Sequence, residues 1–90
     1  MFSGPSGVSI SQSGDFALVA DKDNHNIRHI TIATGVVTTL AGSGSSGSAD
    51  GTGTDASFNQ PFRVAVSPDN TFALVADRLN HAIRHIVVAT

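Results

Sequence analysis

The 90-residue chain has no cysteine, tryptophan, tyrosine or glutamate, and a single lysine. Without cysteine there is neither a disulfide framework nor a thiolate metal site, and redox usage leaves the compartment unknown. Strong helix formers are scarce: no Glu, one Lys and two Gln stand against 23 residues of Val, Ile and Thr. That balance favours strands. The net charge of −2 supplies no basic excess for nucleic acid or anionic lipid, which argues against both as partners. No apolar run approaches the ~20 residues of a membrane helix, and the N-terminus lacks a basic-then-apolar leader pattern. The expectation is a small, soluble all-β chain.

What is present is a repeat. Residues 5–34 laid over residues 61–90, at an offset of 56 and without gaps, give 17 identities in 30 positions. The longest shared runs are Phe16–Asp21 over Phe72–Asp77 and Ile27–Ile30 over Ile83–Ile86. Phe2 also falls under Phe58, three residues before the shared proline in both copies. Repetition at a fixed period signals a repeat architecture, in which each unit covers its neighbour.

Each copy reads as short strands separated by turns. Residues 8–11 and 64–67 alternate with a two-residue period. Ser13-Gly14-Asp15 and Pro68-Asp69-Asn70 are turn clusters. The near-continuous apolar runs 16–21 and 72–77 fit strands packed on both faces, so Phe16, Leu18, Val19, Phe72, Leu74 and Val75 are expected in the core. Val19 and Val75 are expected to face a neighbouring sheet. Residues 26–32 and 82–89 form third strands, and residues 36–41 a fourth. The organisation is then a first unit over 1–41, a Gly/Ser-rich connection over 42–57 and a second unit over 58–90. The connection holds five Gly and five Ser but is read as an inter-sheet loop, since Ala56 and Phe58 offer packing.

Four short antiparallel strands per unit, apolar on both faces, describe a β-propeller blade. The strings Pro-x-x-Val, Phe-Ala-Leu-Val-Ala-Asp, Asn-His-x-Ile-Arg-His-Ile and Val-Val-Thr-Thr-Leu-Ala-Gly together resemble the NHL repeat. The spacing Asp50-Gly51…Ala56-x-Phe58-x-x-Pro61 resembles the inter-blade loop of its longer-looped members. The resemblance implies a ring of about six blades, and roles that range from RNA or protein binding to sensing and lyase chemistry. Fold alone therefore leaves function open. The sequence departs from such a ring by holding one complete blade and a second without its outer strand. The expectation is an excised or engineered two-repeat fragment whose ring is completed by oligomerisation. Residues 83–90, apolar, uncharged after His85 and without a proline, are expected to form an edge strand that pairs with another chain.

Several constellations invite chemistry. His25 and His29, echoed by His81 and His85, have a metal-ligand spacing on a helix, but along a strand i and i+4 stand ~13 Å apart. No metal site follows. Asp50–Asp55 lacks the order and closing Glu of a calcium loop, and the Gly/Ser run lacks the lysine of a phosphate loop. No cofactor is implied. Ser, His and Asp occur without a catalytic motif, so no catalytic residue is assigned and no enzyme is expected. Lys22, Arg63 and Arg78 could gather at one end of a ring with His25 and His81, but only Phe is available to stack bases.

The repeated set Asp21, Asn24, Arg28 and its copy Asp77, Asn80, Arg84 is read as a hairpin clamp. With the turn centred on Asp23-Asn24, Asp21 faces Asn26 and Arg28 lies on the diagonal. The carboxylate is expected to accept turn amides, with Asn24 and Asn80 adopting the unusual turn conformation. The functional expectation is self-assembly: a homotrimer of two-blade chains, with a homotetramer as the alternative. The competing reading is a binding module that presents ring loops to a protein, peptide or RNA.

Overall fold

The identical Phe-Ala-Leu-Val-Ala-Asp runs become the central strands of two antiparallel sheets in a computed structural model, which describes residues 2, 4–48, 50–51 and 53–88. The first sheet has the order β1 (Pro5–Ile10), β2 (Phe16–Asp21), β3 (Asn26–Thr31), β4 (Val36–Ala41). The second has β5 (Pro61–Val66), β6 (Phe72–Asp77), β7 (Ala82–Val87). β-branched and aromatic side chains suit these pleated, buried surfaces. Asp21 pairs with Asn26 and Asp77 with Ala82, so both β2–β3 and β6–β7 hairpins share one register. A bulge in β1 between Pro5 and Gly7 recurs in β5 between Pro61 and Arg63.

The sheets pack face to face, with β5 against β1 and β2. Leu18, Ala20, Ile27 and Ala41 of the first sheet form one buried cluster with Phe58, Val64, Ala73 and Val75 of the second unit. The long connection contributes to it: Ala56 and Phe58 are both buried. A short 3-10 turn, Gly53–Asp55, interrupts the connection, and the Gly42 amide donates to the Gly53 carbonyl at 3.1 Å.

Three of the expected core residues are corrected. Leu18, Val19 and Val75 are buried, but Phe16 and Phe72 are only half-buried and Leu74 is 44% exposed. The phenyl rings lie at the strand starts and stack on His29 and His85, centroids 4.9 Å apart in both cases. Leu74 is the copy of Leu18, which is fully buried. The difference is one of cover: Leu18 faces the second sheet, whereas Leu74 lies on that sheet's far face.

Candidate functional site

Each hairpin joining the second and third strands turns through one 3-10 turn, Lys22–Asn24 or Arg78–Asn80. The left-handed residues are His25 and His81, at φ 54° and 53°, and not the asparagines. Asn24 and Asn80 instead use their side-chain amides, donating to Asp21 Oδ2 at 2.8 Å and Asp77 Oδ2 at 2.6 Å. This serves the buried carboxylates better, because an isolated ionised group in an apolar core is costly.

In the second blade Arg84 Nη1 lies 3.0 Å from Asp77 Oδ2, and in the first Arg28 Nη1 lies 3.7 Å from Asp21 Oδ2. The backbone amide that Asp77 accepts comes from the inter-blade loop, Asn59 N–H at 2.8 Å, rather than from its own turn. The two arginines also cover the repeated phenylalanines: the Arg28 guanidinium stands 5.3 Å from the Phe2 ring and that of Arg84 5.1 Å from Phe58.

The long loop is tied down through this same cluster. Asn80 donates to the Gly47 carbonyl at 2.7 Å, and Arg84 to the Ser57 carbonyl at 3.0 Å and to Asp50 at 2.7 Å. These loop partners escape a reading of sequence, since Gly47 and Ser57 act through backbone oxygens and Asp50 sits in a polar turn. At the β5–β6 turn, the hydroxyls of Ser67 and Thr71 donate to Asp69 and hold its carboxyl below the usual value.

Removal of the Asp77 carboxylate tests the clamp role. Asp77→Asn keeps the shape and one acceptor, and is expected to cost about 1–2 kcal/mol. Asp77→Ala removes the acceptor of Asn59, Asn80 and Arg84 and is expected to cost about 3 kcal/mol or more. Denaturant unfolding measures both, and equal costs would contradict the clamp.

Three of the four histidines are engaged in other ways, His29 and His85 by stacking on the phenyl rings. His25 Nδ1 accepts the Gln60 amide across the two blades at 3.0 Å. Among the described residues no three His, Asp or Glu come together as a metal ion would need. Of the expected basic group, Arg63 and Arg78 meet at Phe62, their guanidiniums 5.5 and 6.0 Å from its ring. Arg78 also reaches the Gln60 side chain at 3.5 Å.

Comparison with known proteins agrees with this architecture. Residues 2–30 match the NHL repeat. NHL repeat-containing protein 2 of Bos taurus is 34% identical over 87 residues, 96% of this chain but 12% of that protein. A solved structure of unknown function from Bacteroides thetaiotaomicron superposes with a TM-score of 0.84 at 26% identity, covering 94% of this chain and 21% of that one. An auxiliary nutrient binding protein from the same organism gives 0.80 at 27%, covering 93% and 22%. The chain thus carries NHL-repeat sequence in a propeller-type fold, and spans about an eighth of its curated relatives.

Proposed function

We propose that this NHL-repeat chain is a two-blade building unit that closes a propeller ring with further copies of itself, and that the ring is a scaffold without catalytic activity. One observation carries this reading. Several large apolar positions related by the repeat are buried where the two blades meet and exposed where they do not. Leu18 and Ile27 are fully buried, whereas their copies Leu74 and Ile83 are 44% and 71% exposed. Val64 is 7% exposed, whereas its copy Val8 is 65% exposed. The far face of the second blade therefore repeats the surface by which the first blade packs on the second, and it fits the exposed face of the first blade, around Val8, in another copy.

At about 25 cal/mol per Å² of apolar surface, leaving a few hundred Å² uncovered forfeits several kcal/mol. That rivals the entire net stability of a domain, about 5–15 kcal/mol. A head-to-tail contact whose rotation closes makes a ring. Propellers hold ~4–8 blades, and the six suggested by family resemblance make three copies, with four copies and eight blades as the alternative. Native mass spectrometry at micromolar concentration is expected to show the trimer. A monomer at every concentration would overturn the reading.

A second reading, a module that binds a protein or peptide ligand, is favoured by Phe62 of β5, which is 38% exposed between two guanidiniums. A solved neighbour described as a nutrient binding protein supports a binding role. Absence of any ligand-dependent shift in melting temperature on screening would count against it.

A further inference from the structure

We infer that the seam between copies differs from the seam inside the chain: it is almost wholly apolar, and Arg63 holds its inner edge open. The inference rests on the ring reading and names the partner surface, the exposed face of β1 in a second copy.

Inside the chain the two inner strands approach closely. Ser6 Oγ donates to the carbonyls of Pro61 and Phe62 at 3.1 and 2.9 Å. Ser9 Oγ accepts the Val66 amide at 3.1 Å. The Gln12 amide donates to Asn70 Oδ1 at 2.9 Å, and Asn70 Nδ2 reaches Ser13 Oγ at 3.4 Å. Between the serines lies Gly7, where a Cβ would stand 2.8 Å from the Phe62 carbonyl oxygen and 3.0 Å from Arg63 Cα. Side chains do not tolerate such distances to backbone, so this approach requires glycine.

Moving each participant by 56 residues gives the seam that a second copy would make. Ser6 becomes Phe62 and Ser9 becomes Ala65, so both hydroxyls are gone. Gln12 becomes Pro68, which has no amide hydrogen, and Asn70 becomes Gly14. Gly7 becomes Arg63, whose Cβ would meet the Ser6 carbonyl and Gly7 Cα of the second copy. One polar contact survives: His81 keeps the left-handed geometry of His25, and Gly4, at φ 74°, takes the place of Gln60 at φ 54°.

The apolar complement is retained. Leu74 and Ile83 present the side chains that Leu18 and Ile27 bury, and the receiving face carries Val8, Ile10 and Val19 where the internal seam has Val64, Val66 and Val75. That face holds an open cleft of about 380 Å³ lined by Phe2, Pro5, Val8, Val19 and Ile30. The ring alternates between tight seams within chains and looser ones between them, with the two-blade chain as its stable unit.

The test grafts the polar set of β1 onto β5. In F62S/R63G/A65S the internal seam keeps its contacts, because Ser6 and Gly7 meet only the backbone of these residues. Sedimentation over a concentration series is expected to show the dissociation midpoint lowered at least tenfold relative to the unaltered chain. Arg63→Gly alone is expected to shift it in the same direction, and Arg63→Ala, which retains the Cβ, to leave it in place. Circular dichroism checks that the triple variant folds, and where it does not, the Arg63→Gly against Arg63→Ala comparison decides. If the unaltered chain assembles and neither the graft nor Arg63→Gly tightens it, the inference fails and the ring reading stands. If no form assembles at any concentration, both fail.

Discussion

Leu18→Ala is expected to cost about 2–5 kcal/mol at every protein concentration, whereas Leu74→Ala, the same change in the copied strand, is expected to act mainly on association. Both side chains come from identical six-residue strands. Leu18 is fully buried in the cluster shared by the two sheets, and truncation there loses its transfer free energy and leaves a cavity. Leu74, 44% exposed in the single chain, has less to lose within it, about 1 kcal/mol or below. In an assembled ring it takes the environment of Leu18, so the deficit appears as a higher dissociation concentration. Thermal unfolding at low and high concentration separates the two. Equal losses from Leu18→Ala and Leu74→Ala at the lowest concentration would contradict the difference in burial.

This pair of leucines also marks how far the sequence is legible. Strand composition, the 56-residue repeat and the turn clusters lead to the antiparallel sheets and to the Asp21–Asn26 register, because these depend on local pattern. The exposure of Leu74 and Ile83 does not follow from pattern, since Leu74 has the same sequence neighbours as Leu18, and Ile83 is followed by the same Arg-His-Ile as Ile27. It depends on which sheet face meets another sheet, a tertiary property. The clamp residues are visible as repeated charge, but the left-handed conformation falls to His25 and His81 rather than to the asparagines. Asparagine is enriched in that conformation generally, yet here its amide is engaged by a buried carboxylate one turn earlier. The seam itself is least legible. The contact between Gln60 and His25 joins residues 35 positions apart through a main-chain amide, which leaves no mark on the choice of side chain.

Glycine at position 42 is another place where the backbone leaves no room for a side chain, and Gly42→Ala is expected to cost about 3 kcal/mol or more. Gly42 follows β4 directly, where the chain leaves the outer edge of the first sheet for the long loop. It sits at φ 102°, which alone disfavours any side chain. A Cβ there would stand 2.6 Å from the His25 carbonyl oxygen and 2.7 Å from Asn26 Cα, so the β2–β3 turn or the loop has to move. His25 is also the residue that accepts the Gln60 amide across the seam, so displacement of the turn propagates to the packing of the two blades. Gly44 provides the control. Its φ is 90°, yet a Cβ there meets nothing within 4 Å, so Gly44→Ala carries the conformational cost alone, about 1–2 kcal/mol. For a domain of this size 1 kcal/mol corresponds to roughly 4–8 °C in melting temperature. The expected result is a fall of about 4–16 °C for Gly44→Ala and a larger one, about 12–24 °C or more or loss of the cooperative transition, for Gly42→Ala. Equal falls would mean that the loop leaves the sheet without touching the turn beneath it, and the route from the first blade to the second would have to be redrawn.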